Sequence, residues 1–315
     1  MSTSWSEIEG NHPLIHLDNS ITVAIAAYGN ADATLRCLEA LFKSADGNYE
    51  LILIDDNSPD DGATFRLFDW ASQTQANTKI YQNIEENIEY SGSVSLALSH
   101  SQGEKIFFIS NDIYVTPYYF QAILMAADAS PLNGIIRGSS NYVDNGLPSH
   151  NIPHPQAINN LGSIFGIGKE LFDLFRDTTA PDPFLVGDAF MVNRDLLDKI
   201  GVFDPLFFGY FADHDLGIRS KIAGFNNLLV PGAYAYHDAH VNFNYLPPEQ
   251  AMRKNDTRWE RVYENWARFK LKYGLPVSLQ YTTTHDIPWE QLEQEEFNRN
   301  RHFATPQNFN HLKIN

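Results

Sequence analysis

Three short apolar runs, Ile21–Ala27, 51–54 and Lys105–Ser110, each break off into polar residues: Tyr28 and Gly29, then Asp55-Asp56-Asn57-Ser58, then Asn111 and Asp112. Between them lie segments of helical period. Leu35, Leu38, Leu41 and Phe42 share one helical face, a short strand is predicted near 79–82, and a helix is predicted from about Ser91 to Ser101. Apolar runs of strand length that alternate with helix-period segments specify βαβ units, because parallel strands must be joined by a crossover of about a dozen residues or more. The fold class is α/β. In such sheets ligands bind in the crevice at the carboxyl ends of the strands, and that is where the polar clusters fall.

The pattern changes beyond Ser139. From there to Pro183, Asn, Pro, His and Gly outnumber periodic apolar positions, which reads as a loop-rich insertion or a substrate-facing surface. Order returns with a strand at 185–192, an amphipathic piece at 196–200 stopped by Gly201, and a helix over about 213–223. Strands follow at 228–230 and 233–237. A long helix spans 248–273, where Trp259, Val262, Tyr263, Trp266, Phe269 and Leu271 recur at roughly helical spacing. The polar stretch after Tyr273 reads as a partly ordered tail.

Charge excludes one class of partner. With 22 Lys and Arg against 39 Asp and Glu, the net charge is −17, and the deficit of cations, spread along the whole sequence, argues against nucleic acid, whose phosphates call for a basic surface. At 43% hydrophobic residues the chain has ample material for a core. The single cysteine, Cys37, rules out a disulfide framework and a multi-cysteine zinc site, and fits a reducing compartment. The first residues carry neither a basic nor an apolar leader segment, and no run approaches the roughly 18 apolar residues of a membrane span. A soluble, cytoplasmic protein is expected, with its oligomeric state open.

Each polar cluster has two readings. Asp112, at the end of a strongly apolar strand, is either a turn residue satisfying backbone amides or a ligand for a hard divalent cation. Asp55 and Asp56 form an Asx turn or helix cap, or else hydrogen-bond the ribose or base of a nucleotide. Asp213 and Asp215 do not share a helical face, so their roles differ. Asp215, four residues before Arg219, suits an ion pair; Asp213, at the helix start, is available as a general base. His237 closes a strand with no second histidine at metal-binding helical spacing, and is either a packed histidine or a ligand.

Taken in order, these pieces resemble the family 2 inverting glycosyltransferases of the GT-A fold, from about Ile21 to His237. The first half of the resemblance lies in Ala26-Ala27-Tyr28-Gly29, in Asp55 to Ser58, and in Ser110-Asn111-Asp112 followed by Pro117. The second lies in four ordered matches: Gly187 to Arg194, Gly201 to Phe208, Ala212 to Arg219 and Pro231 to His237.

The resemblance implies a GT-A-like single domain with a Rossmann-like nucleotide-binding half, a mixed central sheet and a C-terminal helical extension. It divides the chain into a nucleotide-sugar-binding half at 18–138, an acceptor-binding and catalytic half at 139–245, and a helix and tail at 246–315. It implies that Tyr28, Asp56 and Asp55 contact the nucleoside of a nucleotide-diphosphate sugar, with Asn111 near the donor. Asp112 would bind Mn²⁺ or Mg²⁺ at the diphosphate with His237 as second ligand, and Asp213 would deprotonate the hydroxyl of a glycan or glycoconjugate acceptor. The reaction implied is transfer with inversion, in polysaccharide or glycoconjugate synthesis. Ser110 and Asn111 replace carboxylates usual in the metal motif, Gly29 replaces Asn, Ala212 replaces the Glu beside the base, and 86–94 replaces an Asn-x-Gly run. Two other readings stand beside it: a non-catalytic nucleotide-sugar or glycan-binding domain of the same fold, and a nucleotidyltransferase.

Overall fold

The computed structural model describes residue 5 and residues 12–143, 148–153, 160–239, 248–309 and 311–314. The chain enters through β1 (Ile15–Leu17) and lays down β2 (Ile21–Ala27), α1 (Ala31–Ser44), β3 (Ala45–Gly47), β4 (Glu50–Asp56), α2 (Ala63–Thr74), β5 (Thr78–Asn83), α3 (Glu89–His100) and β6 (Lys105–Ser110). The alternation then breaks. There follow β7 (Ile113–Tyr114), α4 (Pro117–Asp128), β8 (Asn133–Ser140), α5 (Leu161–Phe175), β9 (Ala180–Pro181), β10 (Ala189–Asn193), α6 (Arg194–Ile200), α7 (Ala212–Ile222) and β11 (Asn226–His237). The last stretch holds α8 (Pro248–Tyr273), α9 (Trp289–Leu292), α10 (Arg299–His302) and β12 (Lys313–Ile314).

The main sheet runs β12-β5-β4-β2-β6-β10-β8-β11-β7. Strands β5, β4, β2 and β6 are mutually parallel. β10 runs antiparallel to both β6 and β8, and β11 lies parallel to β8, so the sheet is mixed. Successive residues of a strand point to opposite faces, and β2 divides accordingly: Val23 and Ile25 join a core with Leu38 and Leu41 of α1 and Phe120 of α4, while Ala24 joins a second with Leu96 of α3 and Trp266 of α8. The division placed at 138/139 falls within β8, and the one at 245/246 lies outside the described residues. No described helix is long and apolar enough to cross a membrane.

Local chemistry explains where elements start. The Asn30 side chain accepts the Ala33 N–H at the start of α1, and Thr116 accepts the Tyr119 N–H at 3.1 Å with Pro117 in the first turn of α4.

Three expectations need correction. Residues 139–183 are not simply loop: the 15-residue α5 lies there. Gly166 and Gly168 dilute its helical signal, but Gly168 serves packing, since a Cβ there would fall 2.8 Å from Thr116 Oγ1. The strands expected at 228–230 and 233–237 form one strand, β11, whose register shifts between Val230 and Tyr234 around Pro231, which has no N–H to give. The stretch after Tyr273 is packed, burying Leu275, Ile287, Leu292, Phe309 and Leu312. Ala304 bridges to Gly201, and β12 pairs antiparallel with β5.

Candidate active site

Backbone register assembles the site at the carboxyl edge of the parallel strands. β2 ends beneath Tyr28, β4 ends at Asp56, and β6 leads into Asn111 and Asp112. Because β10 is antiparallel, the residues that precede it reach the same edge: Ala189 pairs with Ile109, and the Ser110 N–H donates to the Asp188 carbonyl at 3.0 Å. His237 arrives from the far side, since β11 pairs with β7 in a register that sets His237 opposite Ile113. Asn141 fixes its backbone by two bonds, accepting the His237 N–H at 2.7 Å and donating to its carbonyl at 2.9 Å.

A cavity of about 280 Å³ opens over this edge, and Tyr28, Asp56, Asn111, Asp112 and His237 all line it. Asp55 does not share that lining; its carboxylate accepts the Ser58 N–H at 3.0 Å, the Asx turn that its neighbours allow. Ser58 in turn accepts the Gly29 N–H at 2.8 Å, so Asp55 braces the loop below Tyr28. Tyr28 is 51% exposed, an aromatic face left open at the cavity rim. Asn111 donates to Thr34 Oγ1 at 2.9 Å and to the Gly29 carbonyl at 3.3 Å, tying the end of β6 to the start of α1. Asp56 accepts from the Ile88 N–H at 2.8 Å and from Asn83 at 2.9 Å. Burial nevertheless outweighs these bonds and pushes its carboxyl up to about 6.

Asp112 Oδ2 and His237 Nε2 stand 3.5 Å apart, a spacing that two neighbouring ligands of one divalent ion can adopt at about 2.0–2.2 Å each. The other ring nitrogen, Nδ1, faces the Tyr142 carbonyl at 3.0 Å; a partner of that kind sets the orientation of a metal-binding imidazole. Among the described residues no group of three or more His, Cys, Asp or Glu converges as a metal site. The pair therefore fits a cation as two members of a shell that a ligand must complete. Burial opposes the charge on His237, but the hydrogen bond and charge of Asp112, with the charge of Asp188, push it up to about 9.

Asp188 was not anticipated. Its Oδ1 accepts from Arg137 at 2.9 Å and from the Ala189 N–H at 2.9 Å, and its Oδ2 lies 3.8 Å from His237 Nδ1. Arg137 is 2% exposed and also donates to the Val186 carbonyl at 2.9 Å. The one hint in the sequence was an Arg inside the apolar segment that became β8, and its partner is 51 residues away.

A second cavity of about 330 Å³ adjoins the first and shares Glu89, Tyr90, Ser110 and Asp188 with it. Asp213 lines it from the first turn of α7, where aligned peptide dipoles favour an anion. Its oxygens accept the His214 N–H at 2.9 Å and the Gly187 N–H at 3.2 Å. Tyr90 donates to the Gly187 carbonyl at 2.7 Å; burial, then Asp213 and Asp188, push its phenol well above the ordinary value, so it remains a donor. A Cβ on Gly187 would fall 1.7 Å from the Tyr90 hydroxyl, which explains glycine at this joint. Asp215 turns the other way. Fully buried, it pairs with Arg219 at 2.6 Å, accepts from Tyr273 at 2.7 Å and pairs with Lys272.

Residues 22–201 match the model of glycosyl transferase family 2. The chain belongs to glycosyl transferase family 2. Solved glycosyltransferases share its GT-A fold. The mannosyltransferase PcManGT from Pyrobaculum calidifontis, in complex with GDP-Man and Mn²⁺, aligns with a TM-score of 0.55 at 14% identity, over 87% of this chain and 68% of that one. GalNAc-T7 with UDP, GalNAc and Mn²⁺ aligns with a TM-score of 0.53 at 14% identity, over 69% and 42%. Residues 1–349 of S. aureus TarS align with a TM-score of 0.50 at 17% identity, over 71% and 62%. A curated relative, the uncharacterized protein y4gI of Sinorhizobium fredii, is 22% identical in an alignment of 205 residues that covers 61% of this chain and 21% of y4gI. The chain thus spans about a fifth of that relative's length.

Against this family 2 member's own sequence, the segment 86–94 gains a place. Asn87, Glu89, Tyr90 and Ser93 line the first cavity, although the segment offers no Asn-x-Gly run. Glu89 sits at φ +60, an uncommon conformation for a residue with a side chain, and its carboxylate pairs with Arg261 of α8.

Proposed function

We propose that this chain transfers a sugar from a nucleotide-diphosphate donor to an acceptor hydroxyl with inversion at the anomeric carbon. The observation that carries the reading is the pair of adjoining cavities: Asp56, Asp112 and His237 line one, Asp213 lines the other, and Tyr90 and Asp188 stand in both. Asp56 accepts a hydrogen bond from the nucleoside, and Tyr28 lays its open ring against it. Asp213 takes the proton of the acceptor hydroxyl, whose oxygen forms the new bond to the anomeric carbon while the bond to the diphosphate breaks on the opposite face. A divalent cation, Mn²⁺ or Mg²⁺, would be held by Asp112 and His237 and would neutralise charge on the leaving diphosphate. Arg137 keeps Asp188, and through it the His237 ring, in position. The acidity of the chain adds to the case for a cation, since a net charge of −17 repels a diphosphate at long range.

The test is a panel of nucleotide-sugars with Mn²⁺, beginning with GDP-mannose and UDP-sugars, the chemistries bound in the two Mn²⁺-containing neighbours. Release of nucleoside diphosphate that depends on an added glycan is the expected result. Nucleotide binding with no release would make the chain a binding domain. Pyrophosphate release from a nucleoside triphosphate and a sugar phosphate would make it a nucleotidyltransferase.

A further inference from the structure

The two cavities meet at Glu89, Tyr90, Ser110 and Asp188, which line both. In a direct displacement the anomeric carbon is bonded to a diphosphate in the first cavity and is met by an acceptor hydroxyl from the second, so the transferred ring lies at this junction. Two of the polar groups there are already held by the protein. The Tyr90 hydroxyl donates to the Gly187 carbonyl at 2.7 Å, and Asp188 Oδ1 accepts from Arg137 and from the Ala189 N–H at 2.9 Å each. Glu89 differs. Its Oε1 pairs with Arg261 of α8, while its Oε2 accepts no hydrogen bond among the described residues. That oxygen lies 3.8 Å from the point where a Cβ on Gly209 would stand, and Gly209 lines the second cavity. The backbone of Glu89, at φ +60, is one that glycine adopts freely and a residue with a side chain seldom does. A carboxylate with one open oxygen thus stands at the junction against local backbone preference.

Resting on the transfer reading above, we infer that Glu89 selects the sugar of the donor: its Oε2 accepts a hydrogen bond from a ring hydroxyl, and the sugar transferred is neutral. An ionised carboxylate only accepts, whereas a hydroxyl donates. A ring hydroxyl therefore satisfies Oε2, and the carboxylate of a uronic acid does not. A site built to hydrogen-bond a hydroxyl rejects an analogue that cannot donate, because its own polar group is then left unpaired. Asp188, the other carboxylate at the junction, discriminates in the same direction. Arg261 and Arg137 pair with the two carboxylates from outside both linings, and Arg258 lines the second cavity alone.

The experiment uses the full chain and the variants Glu89→Gly, Glu89→Gln and Arg261→Gln, with thermal unfolding as a control for folding. Glycine is at ease at this φ and keeps the N–H that Asn87 accepts at 2.7 Å, so Glu89→Gly removes the carboxylate without straining the loop. Calorimetric titration in Mn²⁺ compares UDP with UDP-glucose and UDP-glucuronate, and GDP with GDP-mannose and GDP-mannuronate. The readout is the affinity of each nucleotide-sugar divided by that of its nucleoside diphosphate, in which a change confined to the nucleotide cancels. In whichever series binds, the ratio for the neutral sugar should fall about tenfold in Glu89→Gly and stay within about threefold in Arg261→Gln. Glu89→Gln, which keeps one accepting oxygen, should fall between them. In the unaltered chain the uronate should bind about tenfold or more weaker than its neutral counterpart. A ratio unmoved by Glu89→Gly, one lowered equally by Arg261→Gln, or a uronate bound as tightly as the neutral sugar would overturn the inference and leave the transfer reading standing. The expected ratios in a chain that releases no nucleoside diphosphate would uphold the selection by Glu89 and remove the transferase reading instead. A chain that binds none of the six nucleotides would overturn both.

Discussion

The floor of the site and its outer wall are built by different means. On the floor, Asp112, Asp188 and His237 meet because strand registers deliver them: β6 against β10, and β7 against β11. The wall, where α7 presents Asp213, depends on side chains from distant segments. Arg219 donates to the Ile200 and Val202 carbonyls at 2.7 Å each, Asp215 is held by Arg219, Lys272 and Tyr273, and Lys221 pairs with Glu293 at 2.6 Å. Where ladders hold the floor, loss of Asp112 is tolerated; where buried charges hold the wall, loss of Asp215 is not.

Two neighbouring carboxylates on α7 give the sharpest contrast. Asp213→Asn should cut transfer by about 10³-fold while leaving nucleotide affinity and melting temperature near those of the parent. Loss of nucleotide binding would move Asp213 to the donor side and erase the boundary between floor and wall. Asp215→Ala, two residues on, should instead lower stability by about 3–5 kcal/mol, because Arg219 would keep a buried charge with no carboxylate partner and Lys272 would be left with Asp204 alone. Denaturant unfolding measures this, and a loss under about 1 kcal/mol would mean that the wall is not held by its charges.

On the floor, Asp112→Ala should weaken nucleotide-diphosphate binding in Mn²⁺ by some tens of fold with little change in stability, as read by calorimetric titration with and without the ion. An unchanged dependence on Mn²⁺ would take Asp112 out of the cation site. The smallest effect concerns Asp56. Its folded carboxyl holds a proton up to about pH 6, against an ordinary value of 3.8. Its contribution to stability is therefore full below about pH 4 and is lost as pH rises through 6. An N–H donor on a nucleoside binds the ionised form more strongly, so nucleotide affinity should move oppositely, falling by up to about tenfold from pH 7 to pH 5. Asp56→Asn should flatten both curves; an affinity that does not respond to pH would break the nucleoside assignment.

The same contrast governs what the sequence makes legible. The parallel strands and α7 stand within a residue or three of their expected ends, because their apolar runs and caps are local signals. The Asp215 ion pair with Arg219 was legible from i, i+4 spacing. Arg137 was not: a charge inside a strand reads as a break until its partner Asp188 is known. Nor was the division of labour between Asp55 and Asp56, since strand alternation, not composition, decides which of two adjacent carboxylates faces the cavity. The ordered stretch after Tyr273 was missed because its buried residues are spaced irregularly and dock on surfaces laid down far earlier in the chain, as Ala304 does on Gly201 and Phe309 on His100.

That late docking has a consequence for handling the protein. β5 would be an outer strand of the sheet, and residues 313 and 314 lie along it, pairing with Gln82 and Tyr81. An uncovered strand of this kind offers its amides and carbonyls to any other chain. A version cut before residue 313 should keep both cavities and yet self-associate, as size-exclusion chromatography would read, because the missing residues guard a strand that lines neither cavity.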